Sequence, residues 1–318
     1  MQSSHSPKRV LVIGYSQTGQ LDRVLDAFSQ PLVSASEIEV VRASIRPAQP
    51  YPFPWSFMTF FDQFPEAVNL DTIALEPLAI EGSFDLVILG YQPWFLSPSI
   101  PTTSFLKSAQ ARQLLQDTPL VTVVACRNMW GQAHLDMATL LQPLGVHWID
   151  NVVLQDQGGA FETFITTPLW LLTGKKQAGF GLSPAGIAEQ DIASASRFGR
   201  AIVQAFHDNS APLRQSVLGG LGAVKAHASL LQSEKIGKRS FRIWGKWLRS
   251  LGPQGAWQRK PVLVLYSIFL IMMIVTVVPI SLILRKLLSR FRQASLQHLE
   301  ASFEQPSGSD RTREKTFL

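Results

Sequence analysis

The sequence contains one cysteine among 318 residues, so no disulfide can form within the chain. That absence excludes the disulfide-stapled folds of small secreted proteins and fits a reducing compartment. Charged residues are also few, at 16%, whereas hydrophobic residues make up 46% and suffice for a large core. The N-terminal stretch MQSSHSPKRVLVIG lacks the long apolar run and the cleavage site of a signal peptide, so we expect no export signal.

Positive charge is scarce over most of the chain and concentrates near its C-terminus. Residues 235–318 carry fifteen Lys and Arg against four Asp and Glu, a net charge of +11, whereas residues 1–234 carry fourteen against nineteen, a net charge of −5. A nucleic-acid binder would carry a basic stripe on its folded body. The pattern predicts a mildly acidic body with a basic C-terminal part and no nucleic-acid partner.

A long hydrophobic run occupies this basic region. Residues 261–284, PVLVLYSIFLIMMIVTVVPISLIL, are twenty-four residues without a charge, enough to cross a hydrocarbon core of about 30 Å as a helix. We interpret the run as a transmembrane helix, with a buried core helix as the alternative, and expect the large body to stay in the cytoplasm. The basic residues expected at the lipid headgroups are Arg259, Lys260, Arg285 and Lys286.

The preceding stretch, FRIWGKWLRSLGPQGAW, repeats Phe241, Trp244 and Leu248 at helical spacing and places Arg242 and Lys246 on another face. We interpret it as an amphipathic helix lying on anionic lipid, with a surface helix of the body as the alternative. The predicted domains are a folded domain at 1–209, a linker and amphipathic segment at 210–260, the transmembrane helix at 261–284, and a polar, basic tail at 285–318.

The body alternates strand and helix patterns. Continuous apolar runs such as KRVLVIG and FDLVILG are typical of parallel strands buried on both faces. Five such strands separated by helices predict an α/β fold with a doubly wound five-stranded parallel sheet. Ligands bind such sheets beyond the carboxyl ends of the strands. The predicted strands are 9–14, 37–43, 84–90, 119–125 and 147–154, and the predicted helices are 19–28, 104–116, 133–143 and 184–207.

The loop after the first strand, YSQTGQL, combines hydroxyls, a glycine and the free N–H groups of a helix start. These features favour an anion such as phosphate, and a plain turn with a hydroxyl cap fits the spacing equally well. The loop is neither GxxxxGK[ST] nor GxGxxG. The candidate phosphate-binding residues are Ser16, Gln17, Thr18, Gly19 and Gln20.

The next two loops add aromatic and donor groups at the same edge. Tyr91, Trp94 and Phe95 could stack on a flat ring system or form a hydrophobic lid. The third loop, CRNMWGQ, supplies Arg127 and Asn128 as donors.

Proton transfer and nucleophilic attack offer fewer candidates. Tyr91 and His134 are the candidates for proton transfer, with a structural role as the alternative for the histidine. We expect Cys126 to be a small buried residue, because no histidine partner is evident. No metal site is predicted.

These loops resemble those of the flavodoxin-like superfamily. The family's phosphate loop is roughly [ST]-x-T-G-x-[TS]; Ser16, Thr18 and Gly19 match it, whereas Leu21 occupies the last hydroxyl position and Asp22 brings a negative charge. The stretch GYQPWFLSPSIPTTSFL runs without a gap beside a segment of flavodoxin-like quinone reductases. The resemblance covers residues 1–209 and implies FMN as the cofactor.

The same resemblance implies positions for the parts of FMN. Its phosphate would lie on residues 16–20, Trp94 and Tyr91 would flank the isoalloxazine, and Arg127 and Asn128 would lie near its polar edge. Phe95 belongs to the same aromatic loop. FMN would carry the redox chemistry, and the protein would orient it.

A narrower resemblance is to flavodoxin-like proteins known as dialkylresorcinol condensing enzymes, carried also by PYPFPWSFMTFFDQFPE and DQGGAFETFITTPLWLLTGKK. Genes of that family accompany ketosynthase-type lipid or aryl-polyene clusters. The context of Cys126 does not suit a condensing enzyme. We therefore expect a membrane-anchored FMN-dependent oxidoreductase of the bacterial inner membrane, acting on a small apolar, lipid-like or polyketide-derived substrate. The alternatives are a non-catalytic membrane adaptor that docks a ketosynthase, and an electron carrier.

The two quoted segments have several open interpretations. Residues 51–68 could line a substrate entrance, cover the flavin or pack as an irregular extension of the core. Residues 156–176 could form an active-site flap or a second membrane-contacting hairpin.

Overall fold

The computed structural model describes residues 6–159, 162–179, 181–208, 211–276 and 293–318. A five-stranded parallel sheet of order β2-β1-β3-β6-β7 forms its centre, as predicted. This order, second-first-third-fourth-fifth along the chain, is that of the flavodoxin-like fold. The strands are β1 Lys8–Gly14, β2 Ile38–Ser44, β3 Leu86–Tyr91, β6 Pro119–Cys126 and β7 His147–Gln155, with β4 Pro93–Trp94 and β5 Ser97–Pro98 as a separate hairpin.

Helices cover both faces of the sheet. Every residue of Leu86–Tyr91, the central strand, is buried, so both of its faces are covered. The described helices are α1 Gln20–Ser34, α2 Phe57–Phe61, α3 Phe64–Val68, α4 Ile100–Leu106, α5 Ala109–Leu115, α6 Gly131–Leu141, α7 Thr163–Thr173, α8 Glu189–Ser194, α9 Ser196–Asp208, α10 Ala228–Ser250, α11 Arg259–Val275, α12 Gln293–Glu304 and α13 Glu314–Phe317.

Helices α1 and α9 approach so closely that glycine, Gly199, is required at their contact. The rings of Phe28 and Phe198 stack at 5.8 Å between centroids. A Cβ on Gly199 would lie 2.1 Å from the backbone oxygen of Phe28, so only glycine permits this approach. The single helix predicted over 184–207 is in fact the pair α8 and α9.

A second hydrophobic core lies beside the sheet domain, between α3, α10 and α11. Its buried members are Phe64, Leu248, Leu263 and Tyr266. The N-terminal part of the hydrophobic run and the apolar face of the amphipathic segment both pack here. The predicted amphipathic helix therefore exists, as the C-terminal part of α10, and it contacts protein along this face.

Arg259 shows how α11 is attached to the body. Its side chain, expected at the lipid headgroups, is fully buried and forms ion pairs with Asp62 at 3.0 Å and Glu66 at 3.0 Å. Within the described ranges, every helix is too short or too polar to cross a bilayer. The predicted transmembrane helix and single-pass inner-membrane location are therefore wrong. Residues 277–284, with Arg285 and Lys286, lie outside the described residues.

The end of the chain packs against β7. The Ser307 hydroxyl donates to the Asp150 carboxylate at 2.7 Å and accepts the Asn151 N–H at 2.8 Å. Glu300 on α12 accepts the N–H of Ala228, the first residue of α10, at 2.8 Å, and Glu304 accepts the N–H of Ala226 at 3.0 Å. The segment predicted as a polar tail thus includes a part that covers the sheet edge.

Candidate functional site

A cavity of about 160 Å³ lies at the carboxyl edge of the sheet. Its walls come from the loops that follow β1, β3, β6 and β7, where doubly wound sheets bind ligands. Three predicted loops therefore converge as expected. The predicted site residues that line the cavity are Gln17, Thr18, Gln20, Trp94, Phe95 and Arg127.

Two inserted segments close the cavity from outside. The Trp55 N–H donates to the Leu171 oxygen of α7 at 2.8 Å, and the rings of Phe53 and Trp170 meet edge-on at 6.4 Å. Trp55 and Trp170 line the cavity itself. Residues 51–61 and α7 thus form a cap over the cavity.

Hydrogen bonds fix the first loop and leave part of it free. Gln92 accepts the N–H of Gln17 at 3.0 Å, and the Gln20 side chain bridges the backbone of Ile187. Among the described residues, no protein group accepts the N–H of Thr18 or Gly19. Gly19 has φ +76° with open space beyond its Cα, directly before α1. These two N–H groups and the helix start form an anion-binding geometry.

Neighbouring contacts explain the two residues, Leu21 and Asp22, at which this loop differs from the flavodoxin-like phosphate loop. Leu21 is fully buried in the core, so its position on α1 faces away from the cavity. The Arg42 guanidinium lies near the Asp22 carboxylate, at 3.9 Å. The Ser16 hydroxyl accepts the Asp22 N–H at 3.4 Å, which places Ser16 at the start of α1 rather than among the lining residues.

The aromatic loop is a strained hairpin. Phe95 and Leu96 have φ +49° and +65°, the two positive values of a type I′ turn that normally takes Asn-Gly. Each such residue costs about 1–2 kcal/mol, so other contacts must hold the turn. The hairpin presents Trp94 to the cavity, where its ring meets Tyr51 edge-on at 5.1 Å.

Arg127 brings positive charge to the cavity. Its guanidinium stacks on the Phe164 ring at 4.0 Å and donates to the Asn128 side chain at 3.3 Å. In the part of the chain that the structure describes, no carboxylate lies within ion-pair distance of it. Burial lowers the pKa of Arg127 to about 10, against attraction from Asp156. The side chain therefore offers an incompletely neutralised cation to a ligand.

The two candidates for proton transfer lie outside the cavity lining. Tyr91 is fully buried, and burial raises the pKa of its hydroxyl. His134 packs between aromatic rings, with Trp148 at 4.7 Å, and burial lowers its pKa to about 4. Cys126 does line the cavity, and burial raises the pKa of its thiol, which disfavours the thiolate.

Sequence reasoning missed several residues around the cavity. Asp156 lines it and accepts the N–H groups of Gly158 at 2.8 Å and Gly186 at 2.5 Å, tying together the two ends of the α7 insertion. Its place directly after the fifth strand was the available signal. Helix α10 also contributes two buried charged residues, Glu234 and Lys238, which bond the start of α6 and the aromatic hairpin. No local sequence pattern indicated them.

Glu234 caps the start of α6. Its carboxylate accepts the Gln132 N–H at 2.7 Å, and the charged groups around it are those of Arg127 and Lys238. Burial raises the pKa of Glu234 from 4.5 to about 7. The folded state therefore holds a proton that the unfolded state has lost, and stability falls as pH rises from about 4.5 to about 7.

We expect Glu234→Gln to flatten this pH dependence. Wild-type protein should lose up to about 3 kcal/mol more unfolding free energy than the variant between pH 4.5 and pH 8. Urea unfolding at several pH values measures the difference. Glu76→Gln, at an exposed position, is the control. Equal slopes in wild type and Glu234→Gln would contradict the raised pKa.

Comparison with known proteins gave structural neighbours only. No family model and no curated protein matches the sequence. A Bacteroides eggerthii protein described as a flavoprotein aligns at 18% identity and TM-score 0.37, over 46% of this chain and 87% of its own. A Lactobacillus acidophilus flavoprotein in complex with FMN aligns at 15% and 0.33, over 46% and 93%. Oxidised flavodoxin 1 from Bacillus cereus aligns at 15% and 0.32, over 62% and 98%.

At these TM-scores the likenesses carry no weight by themselves. The flavodoxin-like class of the fold rests on the strand order of the sheet. The narrower resemblance to dialkylresorcinol condensing enzymes has no counterpart among these neighbours.

Proposed function

We propose that this chain is an FMN-binding oxidoreductase whose cofactor enters the capped cavity. The observation that carries the proposal is that Thr18, Trp94 and Arg127 line one cavity. The N–H groups of Thr18 and of its neighbour Gly19 have no acceptor among the described residues. FMN needs each of these: a phosphate site, a flat contact surface and a donor for its polar edge.

The lining residues have the chemical groups that FMN requires, and the volume available to FMN depends on the position of the cap. A cavity of about 150 Å³ holds one benzene, so about 160 Å³ is too small for three fused rings with a ribityl phosphate. Trp55 and Trp170 close the outer side through the contact with Leu171. We therefore infer that the cap moves outward when FMN binds.

Each part of the site has a role in this proposal. The loop at Thr18 and Gly19 would hold the phosphate, Trp94 would support the ring system, and Arg127 would donate to its polar edge. When bound, FMN supplies the hydride or electron chemistry. The aromatic cap excludes water and favours a small, flat, apolar substrate, supported by Trp55, Phe60 and Trp170 on its inner surface. A lipid-like or polyketide-derived substrate and a ketosynthase-type partner stay predictions from the resemblance.

Thr18→Val tests the phosphate site. The Thr18 hydroxyl lies 3.5 Å from the Gln20 N–H, a weak contact that leaves it available to a ligand. Losing one such hydrogen bond, worth about 0.5–1.5 kcal/mol, should weaken FMN binding about two- to tenfold. Quenching of FMN fluorescence on titration measures the affinity, beside the absorbance of the protein as purified.

Thr139→Val is the matched control, because Thr139 is exposed on α6. Wild-type protein that carries no flavin and shows no quenching by FMN would refute the proposed function. An equal loss in both variants would refute the role of Thr18.

A further inference from the structure

The aromatic hairpin is held by a helix that lies outside the five-stranded fold. The Lys238 ammonium on α10 donates to the Leu96 oxygen at 2.8 Å and also to the Ser97 hydroxyl. Leu96 is one of the two residues with positive φ, and Ser97 follows it directly. Lys238 thus bonds the hairpin at its strained turn.

The charge of Lys238 is balanced beneath the hairpin. Its ammonium forms an ion pair with the Asp136 carboxylate of α6, and its side chain is only 3% exposed. Arg242 lies 4.0 Å from the same carboxylate but is largely exposed. Three elements meet at one ammonium: the hairpin, α6 and α10. A buried cation with a carboxylate and two neutral acceptors is fully used by the protein.

Neighbouring residues of α10 also pack against the hairpin turn. A Cβ on Gly237 would lie 3.1 Å from the Leu96 side chain, so the helix passes very close to the turn. One turn further, the Phe241 ring meets the Phe95 ring at 5.6 Å. Both strained residues of the turn therefore have an α10 residue packed on them.

We propose that Lys238 is a positioning residue that holds the hairpin in its strained form and so sets the place of Trp94 in the cavity wall. Its consequence for FMN affinity rests on the proposed function, whereas its effect on Trp94 does not. A helix beyond the sheet domain thereby controls the shape of the site.

The test replaces Lys238 with methionine in the full chain and follows Trp94 directly. The contribution of Trp94 to near-ultraviolet circular dichroism is first defined by the difference between wild type and Trp94→Phe. We expect Lys238→Met to lose most of that contribution and to bind FMN at least tenfold more weakly. Lys235→Met, at an exposed position on the same helix, should keep both.

Two further variants separate positioning from general damage. Lys238→Met leaves the Asp136 carboxylate without its buried partner, so the double variant Lys238→Met/Asp136→Leu removes both charges and should fold while still losing the Trp94 signal. Lys238→Arg keeps a donor and should recover at least part of the signal.

An unchanged Trp94 signal in folded Lys238→Met or in the double variant would overturn the proposal. If wild-type protein binds no FMN, the proposed function fails while the spectra still decide the role of Lys238.

Discussion

Arg259→Met is expected to lower the free energy of unfolding by about 3–5 kcal/mol, because removing one partner leaves buried charges uncompensated. The Arg259 side chain is fully buried and faces the carboxylates of Asp62 and Glu66. Its Nε lies 3.0 Å from the Asp62 oxygen without hydrogen-bond alignment, whereas its two terminal nitrogens bond the Glu66 carboxylate at 3.0 and 3.1 Å. Urea unfolding at pH 7 measures the loss.

Lys260→Met is the matched control, since Lys260 follows Arg259 in the chain and its own side chain is exposed. The triple variant Arg259→Met/Asp62→Asn/Glu66→Gln should recover much of the loss, because no unpaired charge remains buried. A loss below about 1 kcal/mol for Arg259→Met would show that solvent reaches the carboxylates and that α11 is not anchored there.

The same residue shows why the hydrophobic run was misread. A long uncharged segment indicates burial, and the sequence alone does not say whether lipid or protein covers it. The partners of Arg259 lie almost 200 positions earlier, in the aromatic segment that carries Asp62 and Glu66. A contact of that separation leaves no local pattern in the sequence.

The sheet, by contrast, was predictable because its signal is local. The buried strands are continuous apolar runs, and their carboxyl ends determine which loops meet. Thr18, Trp94 and Arg127, which were predicted from these loops, line the same cavity. Tyr91, at the end of β3, is fully buried and lies outside the cavity lining, because a strand-end residue can face the core as readily as the ligand edge.

The charges on α10 were missed for another reason. Leu231, Glu234, Lys238 and Leu248 are all buried residues of this helix at helical spacing. A hydrophobicity pattern reads the two charges as interruptions of an apolar face, although Glu234 caps the start of α6 and Lys238 bonds the aromatic hairpin. Sequence periodicity shows which residues share a face, and only the fold shows what that face meets.

Arg127→Met should weaken FMN binding strongly while leaving the fold more stable. A hydrogen bond to a charged group is worth about 1.5–3 kcal/mol, which corresponds to about a 10- to 150-fold loss of affinity. In the free protein the lowered pKa of Arg127 shows that the site disfavours its charge. Removing that charge should raise the free energy of unfolding by about 1 kcal/mol.

Opposite shifts in the two quantities distinguish a ligand-binding cation from a structural one. FMN titration and urea unfolding on the same preparations measure both, and Arg112→Met, at an exposed position on α5, should change neither. If Arg127 instead stabilises the fold through Phe164 and Asn128, the variant loses stability together with any affinity. That result would show that the charge of Arg127 serves the fold, and the main reason for placing the flavin's polar edge beside it would be lost.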